Sequence, residues 1–177
     1  MFGRRRRLPA DLTPALERDE RVLAWASTDE GEAVIATNRG LWLPLDGKSG
    51  RLGWYEVNKA TWADGVLTVV AASAEPLTPD SDISVTTDSA PASFSLPKPG
   101  PLPKRVRERV TASVAYTNLH QLPGGGAARV VARRISGRDG LSWFVRYEGP
   151  VNRDDPGVIS TTSELVAAAR EGIGQAD

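Results

Sequence analysis

The sequence predicts a mainly β fold of the α+β class, an antiparallel sheet closing toward a barrel, with two helices added. Three observations predict it. Apolar stretches of strand length follow one another between residues 22 and 72, parted by short turns rich in Gly, Asp and Asn. After a proline-rich passage, Val106, Val110 and Val114 form a stripe at helical spacing. Near the end, Asp155–Pro156 opens a run whose apolar residues again recur at helical intervals.

Taken in order, residues 1–10 ("MFGRRRRLPA") read as a flexible basic arm. "LTPALERDE" predicts a short helical turn, with Thr13 as N-cap and Pro14 in the first helical position. "VLAWAS" (Val22 to Ser27) and "AVIAT" (Ala33 to Thr37) read as strands on either side of the polar turn "TDEGE". In "NRG", Asn38 and Gly40 both tolerate a left-handed backbone, which predicts a tight reversal. "LWLPL" returns as a strand, and Pro44 places its far end at an edge or a bulge. After the turn "DGKSG", "RLGWYEVNKATW" reads as one strand, with Leu52, Trp54 and Glu56 on one parity and Tyr55 and Val57 on the other. "ADG" then turns the chain into "VLTVVAA".

Residues 74–103 are crowded with Pro, Ser, Thr and Asp. They read as a long excursion holding one or two short strands, "ISVT" and "SFSL", before a stiff proline-rich link. "KRVRERVTASV" predicts a helix in which Lys104, Arg105, Arg107 and Arg109 surround the valine stripe. It loosens into an extended segment at "AYTNLHQL", because Tyr, Thr and Asn favour that state. "GGG" (Gly124 to Gly126) is a flexible turn, and "ARVVARRIS" with "LSWFVRYEG" forms a hairpin around "GRDG". The closing helix starts at Asp155–Pro156 or at the Thr161-x-x-Glu164 capping box, with Ile159, Leu165, Val166, Ala169 and Ile173 on its core face. A single domain over residues 11–177, preceded by the arm, is the expected organisation.

The residue inventory removes several chemistries. There is no cysteine, which excludes disulfides, thiolate metal sites and cysteine nucleophiles. The one histidine, His120, has no carboxylate near it in sequence, and no G-x-S-x-G elbow is present to hold a serine nucleophile. "LPGGGAARV" lacks the Gly-Lys-Ser/Thr ending of a nucleoside-triphosphate loop and precedes a strand. The clustered carboxylates Asp29/Glu30/Glu32, Asp80/Asp82 and Asp154/Asp155 do not follow a calcium-loop pattern, and the last pair reads as a helix cap. The chain is therefore expected to be no enzyme and to carry no cofactor. No apolar run approaches the ~20 residues that span a bilayer, and no apolar core follows the basic start. A cytoplasmic protein, neither secreted nor membrane-spanning, is expected.

Charge is balanced overall but segregated. Residues 1–10 carry four basic and no acidic side chains, residues 11–97 six and fourteen, residues 98–146 ten and two, and residues 147–177 two and six. Such asymmetry marks an anion-binding face, two complementary parts of one fold, or a solvated helix face. The tryptophans (Trp25, Trp42, Trp54, Trp62 and Trp143) fall on strands or strand ends, as core residues do. Most of them sit in the acidic half, away from the arginines that a base-stacking platform needs.

"ERVLAWAS", "AVIATNRGLWL" and "RLGWYEVNKATW" together resemble the bacterial pleckstrin-homology-like (GRAM-like) superfamily. The likeness lies in the Thr-x-Arg turn between two strands and in an aromatic-plus-acidic strand running into a bend, over about residues 18–71. The Ala/Arg/Gly/Val bias is similar to that of proteins from GC-rich actinobacteria. This resemblance implies a seven-stranded, strongly bent antiparallel barrel capped by a C-terminal helix, here about residues 155–172, with the basic helix as an extra. It implies a binding module. The chain departs from lipid-binding relatives in the first loop, where "TDEGE" carries three carboxylates in place of phosphate-reading cations.

The expected function is a non-enzymatic interaction module that binds a protein partner or itself, by adding a strand at a sheet edge. The alternative is weak binding to nucleic acid or an acidic membrane surface through Arg4, Arg5, Arg6 and Arg7 and the helix residues Lys104, Arg105, Arg107 and Arg109.

Overall fold

The fold is mainly β, with eleven strands and two α-helices in a computed structural model that describes residues 6–175. β1 (Val22–Ser27), β2 (Ala33–Thr37), β3 (Gly40–Leu45) and β4 (Lys48–Gly53) form an antiparallel meander. β5 (Val57–Ala63), β6 (Val66–Pro76), β7 (Ile83–Asp88) and β8 (Ala92–Ser95) follow, then α1 (Leu102–Ser113). β9 (Val114–Gln121), β10 (Ala127–Arg133), β11 (Ser142–Glu148) and α2 (Pro156–Gly174) complete the chain.

The sequence reads as one domain after the arm; the structure groups the chain into two compact units. The first takes the chain through Ala71 together with Ala90–Thr111, and the second takes Ala72–Ser89 with everything from Ala112 onward. The 74–103 excursion is thus shared, its strand β7 going to the second unit and β8 to the first.

In the first unit the meander and the β5–β6–β8 pairings enclose one core. Val34, Leu41, Leu43, Val57, Leu67, Val69 and Leu96 are buried there, and α1 supplies Leu102 and Val106 with Val110 half-buried beside them. The stripe of α1 is therefore Leu102, Val106 and Val110, since Val114 already belongs to β9. This corrects the assignment of helices. The basic helix is no extra, because its apolar side is part of the first core. The C-terminal helix packs in the second unit instead.

That second unit orders its strands β6-β7-β11-β10-β9, antiparallel except for the parallel β7–β11 pair. Val166 and Ala169 of α2 pack with Ala128, Val130, Ala132 and Val145. Tyr147 Oη and Thr162 Oγ1 are 2.7 Å apart, joining helix to sheet. Of the two predicted helix starts, Asp155–Pro156 is used. Asp155 Oδ1 accepts from the amides of Gly157 (2.8 Å) and Val158 (3.2 Å), leaving Thr162 buried within the helix. Asp155→Ala is expected to cost about 1 kcal/mol, the usual worth of an N-cap, measurable by thermal or denaturant unfolding.

Local expectations fail in three places. The turn predicted from Thr13 is not helical. A single 3-10 turn lies earlier, at Ala10–Leu12, and the Thr13 hydroxyl donates back to the Pro9 carbonyl at 2.8 Å. The tight reversal expected at "NRG" is present between β2 and β3, but neither Asn38 nor Gly40 has a positive φ. Gly40 is needed for space, because a Cβ there would overlap the carbonyl oxygen of Leu52. The left-handed residues lie in two Asp-Gly turns, Asp46–Gly47 (φ 50° and 71°) and Asp64–Gly65 (φ 51° and 78°), the pattern of two-residue hairpins. The first of these shortens the expected "DGKSG" turn, so β4 begins at Lys48. Finally, "RLGWYEVNKATW" is not one strand. Trp54–Glu56 forms a 3-10 turn, fixed by Glu56 Oε2 accepting from the Gly53 amide at 2.7 Å and by Trp54 Nε1 donating to the Thr37 carbonyl at 3.0 Å. Pro44 lies where expected. β2 registers with β3 only through Ile35↔Trp42 and Ala36↔Leu41, so at Pro44 the strand has β4 alone as partner.

Candidate interaction surface

Sequence reasoning missed the densest polar cluster, which lies in the first unit. The side chain of Glu20 is fully buried and accepts from Thr37 Oγ1 (2.7 Å), Trp42 Nε1 (2.8 Å), Arg51 Nη1 (2.7 Å) and the Glu17 amide (3.1 Å). Arg51 also donates to Glu17 Oε1 at 2.6 Å, and Arg39 pairs with Glu17 Oε2 at 2.8 Å and with Asp19. Burial works against the charge on Glu20, but the hydrogen bonds from Thr37, Trp42 and Glu17 and the Arg51 charge outweigh it, so its carboxyl sits below the ordinary value. The hydrogen bond from Arg39 likewise lowers Asp19. With every acceptor position on Glu20 occupied, the cluster clamps the segment before β1 to β2–β4 and offers nothing to a ligand. In sequence "ERDE" is only the end of a predicted helical turn, and its pairing with distant Arg39 and Arg51 reveals the clamp.

Of the predicted basic residues that the structure describes, Arg6 and Arg7 precede β1 and the other four lie on α1. Arg4 and Arg5 lie outside the described residues. Arg6 stacks over Trp25, 4.9 Å from the ring centroid, and its carbonyl accepts from Trp25 Nε1 at 2.9 Å; Arg7 is exposed. On α1, Lys104 and Arg105 both reach Glu108, at 3.8 and 2.9 Å. Arg107 is exposed and Arg109 half-buried, and neither forms an ion pair among the described residues. Helical spacing puts Arg105 and Arg109 on one flank and Lys104 and Arg107 on another.

The open features lie in the second unit. β9 ends the strand order and pairs only with β10, so its outer edge has no strand partner among the described residues; the Leu119 amide donates to Asn118 Oδ1 at 3.0 Å. Its eight residues, VAYTNLHQ, contain neither charge nor proline. Leu119 on this strand is 38% exposed, high for a large apolar side chain. Beside β9 runs a groove of about 510 Å3 lined by Tyr116 and His120 of the strand and by Leu165, Ala168, Gly172 and Ile173 of α2. His120 Nε2 is buried and has no hydrogen-bond partner among the described residues. Tyr116 and His120 lie two apart from Asn118 on either side, on the strand face that carries the helix.

A second hollow, about 410 Å3, lies by the start of α2 and is lined by Gly124, Gly125, Asn152 and Asp155 among others. Its helix amides at Gly157 and Val158 are already capped by Asp155. Arg133 is buried with one hydrogen bond, to Ser113 Oγ at 3.0 Å, and burial lowers its pKa. Among the described residues no group of His, Asp and Glu is arranged to hold a metal ion, and no helix is long and apolar enough to cross a membrane. Comparison with models of protein families, with curated proteins and with solved structures finds no match to this chain.

Proposed function

We propose that this chain is a non-enzymatic interaction domain whose second unit takes up an extended segment of a protein partner as an added strand on β9. The first unit is read as the pleckstrin-homology-like part, supported by its four-stranded meander, its three further strands and the helix α1 in its core. One observation carries the reading of function. An edge strand of eight residues carries neither lysine nor proline, and its one irregularity, the register shift between Val114 and Tyr116, leaves the pairing from Tyr116 to Gln121 regular. An incoming segment would satisfy its free N–H and C=O groups, while the groove beside α2 accepts alternate side chains.

The test places the missing guards on the strand. The variant Thr117→Lys/Leu119→Lys alters two exposed positions, so its melting temperature is expected to stay within a few degrees of the parent. Binding of peptides selected on the parent from a displayed random library is expected to fall roughly tenfold or more, read by fluorescence anisotropy. Undiminished binding by a folded variant would contradict the reading. Concentration-dependent dimerisation abolished by the same variant would identify a second copy as the strand donor. Binding that instead collapses with added salt and is indifferent to the variant would favour the anion-binding alternative.

A further inference from the structure

We infer that the segment bound at β9 carries a large apolar side chain next to lysine or arginine, so that its partners are basic, apolar-anchored peptides. This rests on the β9 reading and adds the chemistry of the occupant. The groove wall on α2 is aliphatic and shallow, since Ala168 and Gly172 have little side chain, with Leu165 and Ile173 at its sides. A large apolar side chain fits that relief and gains by leaving water there. The His120 ring is part of the groove wall, with its Nε2 buried, and so reports on what fills the groove.

The sign of charge comes from the outer rim. Glu164 lies four residues before Ala168 and Glu171 three after it, so both stand beside Ala168 on the solvent flank of α2. Both are exposed, and neither forms an ion pair among the described residues. The nearest arginine on the helix, Arg170, is engaged with Asp82 at 2.9 Å and stacks 5.6 Å from the Trp143 ring centroid. β9 itself brings no charge. An apolar groove flanked through Ala168 by two carboxylates without an ion pair among the described residues repels acidic segments and favours basic ones.

Displayed random heptapeptides are selected on the whole chain at low salt. The expected outcome is enrichment of sequences with Leu, Ile, Phe or Trp beside Lys or Arg. Against the exposed-site variant Glu164→Lys/Glu171→Lys, the enriched basic peptides are expected to bind roughly fivefold to tenfold more weakly, and fresh selection to turn toward acidic peptides. The imidazole nitrogen resonance of His120, the only histidine in the chain, is expected to shift when such a peptide binds. Peptides that protect β9 amides from exchange yet show no basic preference, or lose no affinity on charge reversal, would overturn this inference and leave the β9 reading standing. Failure of every enriched peptide to protect β9 would overturn both. An unmoved His120 resonance in a saturated complex would also overturn it, by excluding the groove as the anchor pocket.

Discussion

Replacing Glu20 with alanine is expected to destabilise the first unit by about 3 kcal/mol, because removing one partner of a buried, hydrogen-bonded ion pair strands the others. The Trp42 indole and one arm of the Arg51 guanidinium would lose their acceptor, and the Thr37 hydroxyl would keep only the longer bond to the Gly40 carbonyl at 3.2 Å. The loss stays near the lower end of the range for buried pairs, since Arg51 is about a quarter exposed and keeps Glu17. Glu20→Gln restores the shape but not the charge and is expected to fall between the two. The pH dependence follows in sign. The folded pKa of Glu20 lies below its reference value of 4.5, so its stabilisation is complete above that value and is lost as pH falls through the folded one. Acid unfolding followed by tryptophan fluorescence should be steeper in the parent than in Glu20→Gln. Equal slopes would show that this carboxylate is not held as described.

Truncating Leu102 to alanine is expected to cost the first unit about 2–5 kcal/mol. Leu102 is wholly buried and belongs to the same core as Val34, Leu41 and Val69. The substitution decides which helix completes that core. Amide exchange in β2, whose five residues are all buried, should quicken in Leu102→Ala, whereas Val166→Ala on α2 should quicken β10 and spare β2. The reverse pattern would restore the C-terminal helix to the first unit.

What was legible in the sequence was local. β1 and β2 coincide with "VLAWAS" and "AVIAT", and α2 begins at the predicted Asp155 cap, because alternation, turn chemistry and capping act over a few residues. The break at Trp54–Glu56 was hidden, since it depends on the Trp54 indole reaching the carbonyl of Thr37, far away in sequence. The Glu20 clamp was hidden for the same reason. Which helix completes which core was not legible either. Val106 and Val110 read as part of an ordinary amphipathic stripe and Leu102 as part of the proline-rich link, and only tertiary packing assigns them. In the candidate surface, His120 and the neutrality of "VAYTNLHQ" were on view, but the edge position of that strand follows from the pairing order alone. The basic residues attracted attention by number, yet Lys104, Arg105 and Arg6 are occupied within the chain.

Residue-resolved amide exchange across β9, with and without a selected peptide, tests the proposed docking edge most directly. In the free chain, the outward-facing amides of Val114–Gln121 should exchange rapidly and those facing β10 slowly. On saturation the outward-facing set should slow markedly, with β10 unchanged. Peptide binding that leaves β9 exchange unaltered and protects α1 or the segment around Arg7 would contradict the docking edge and move the site to the basic residues.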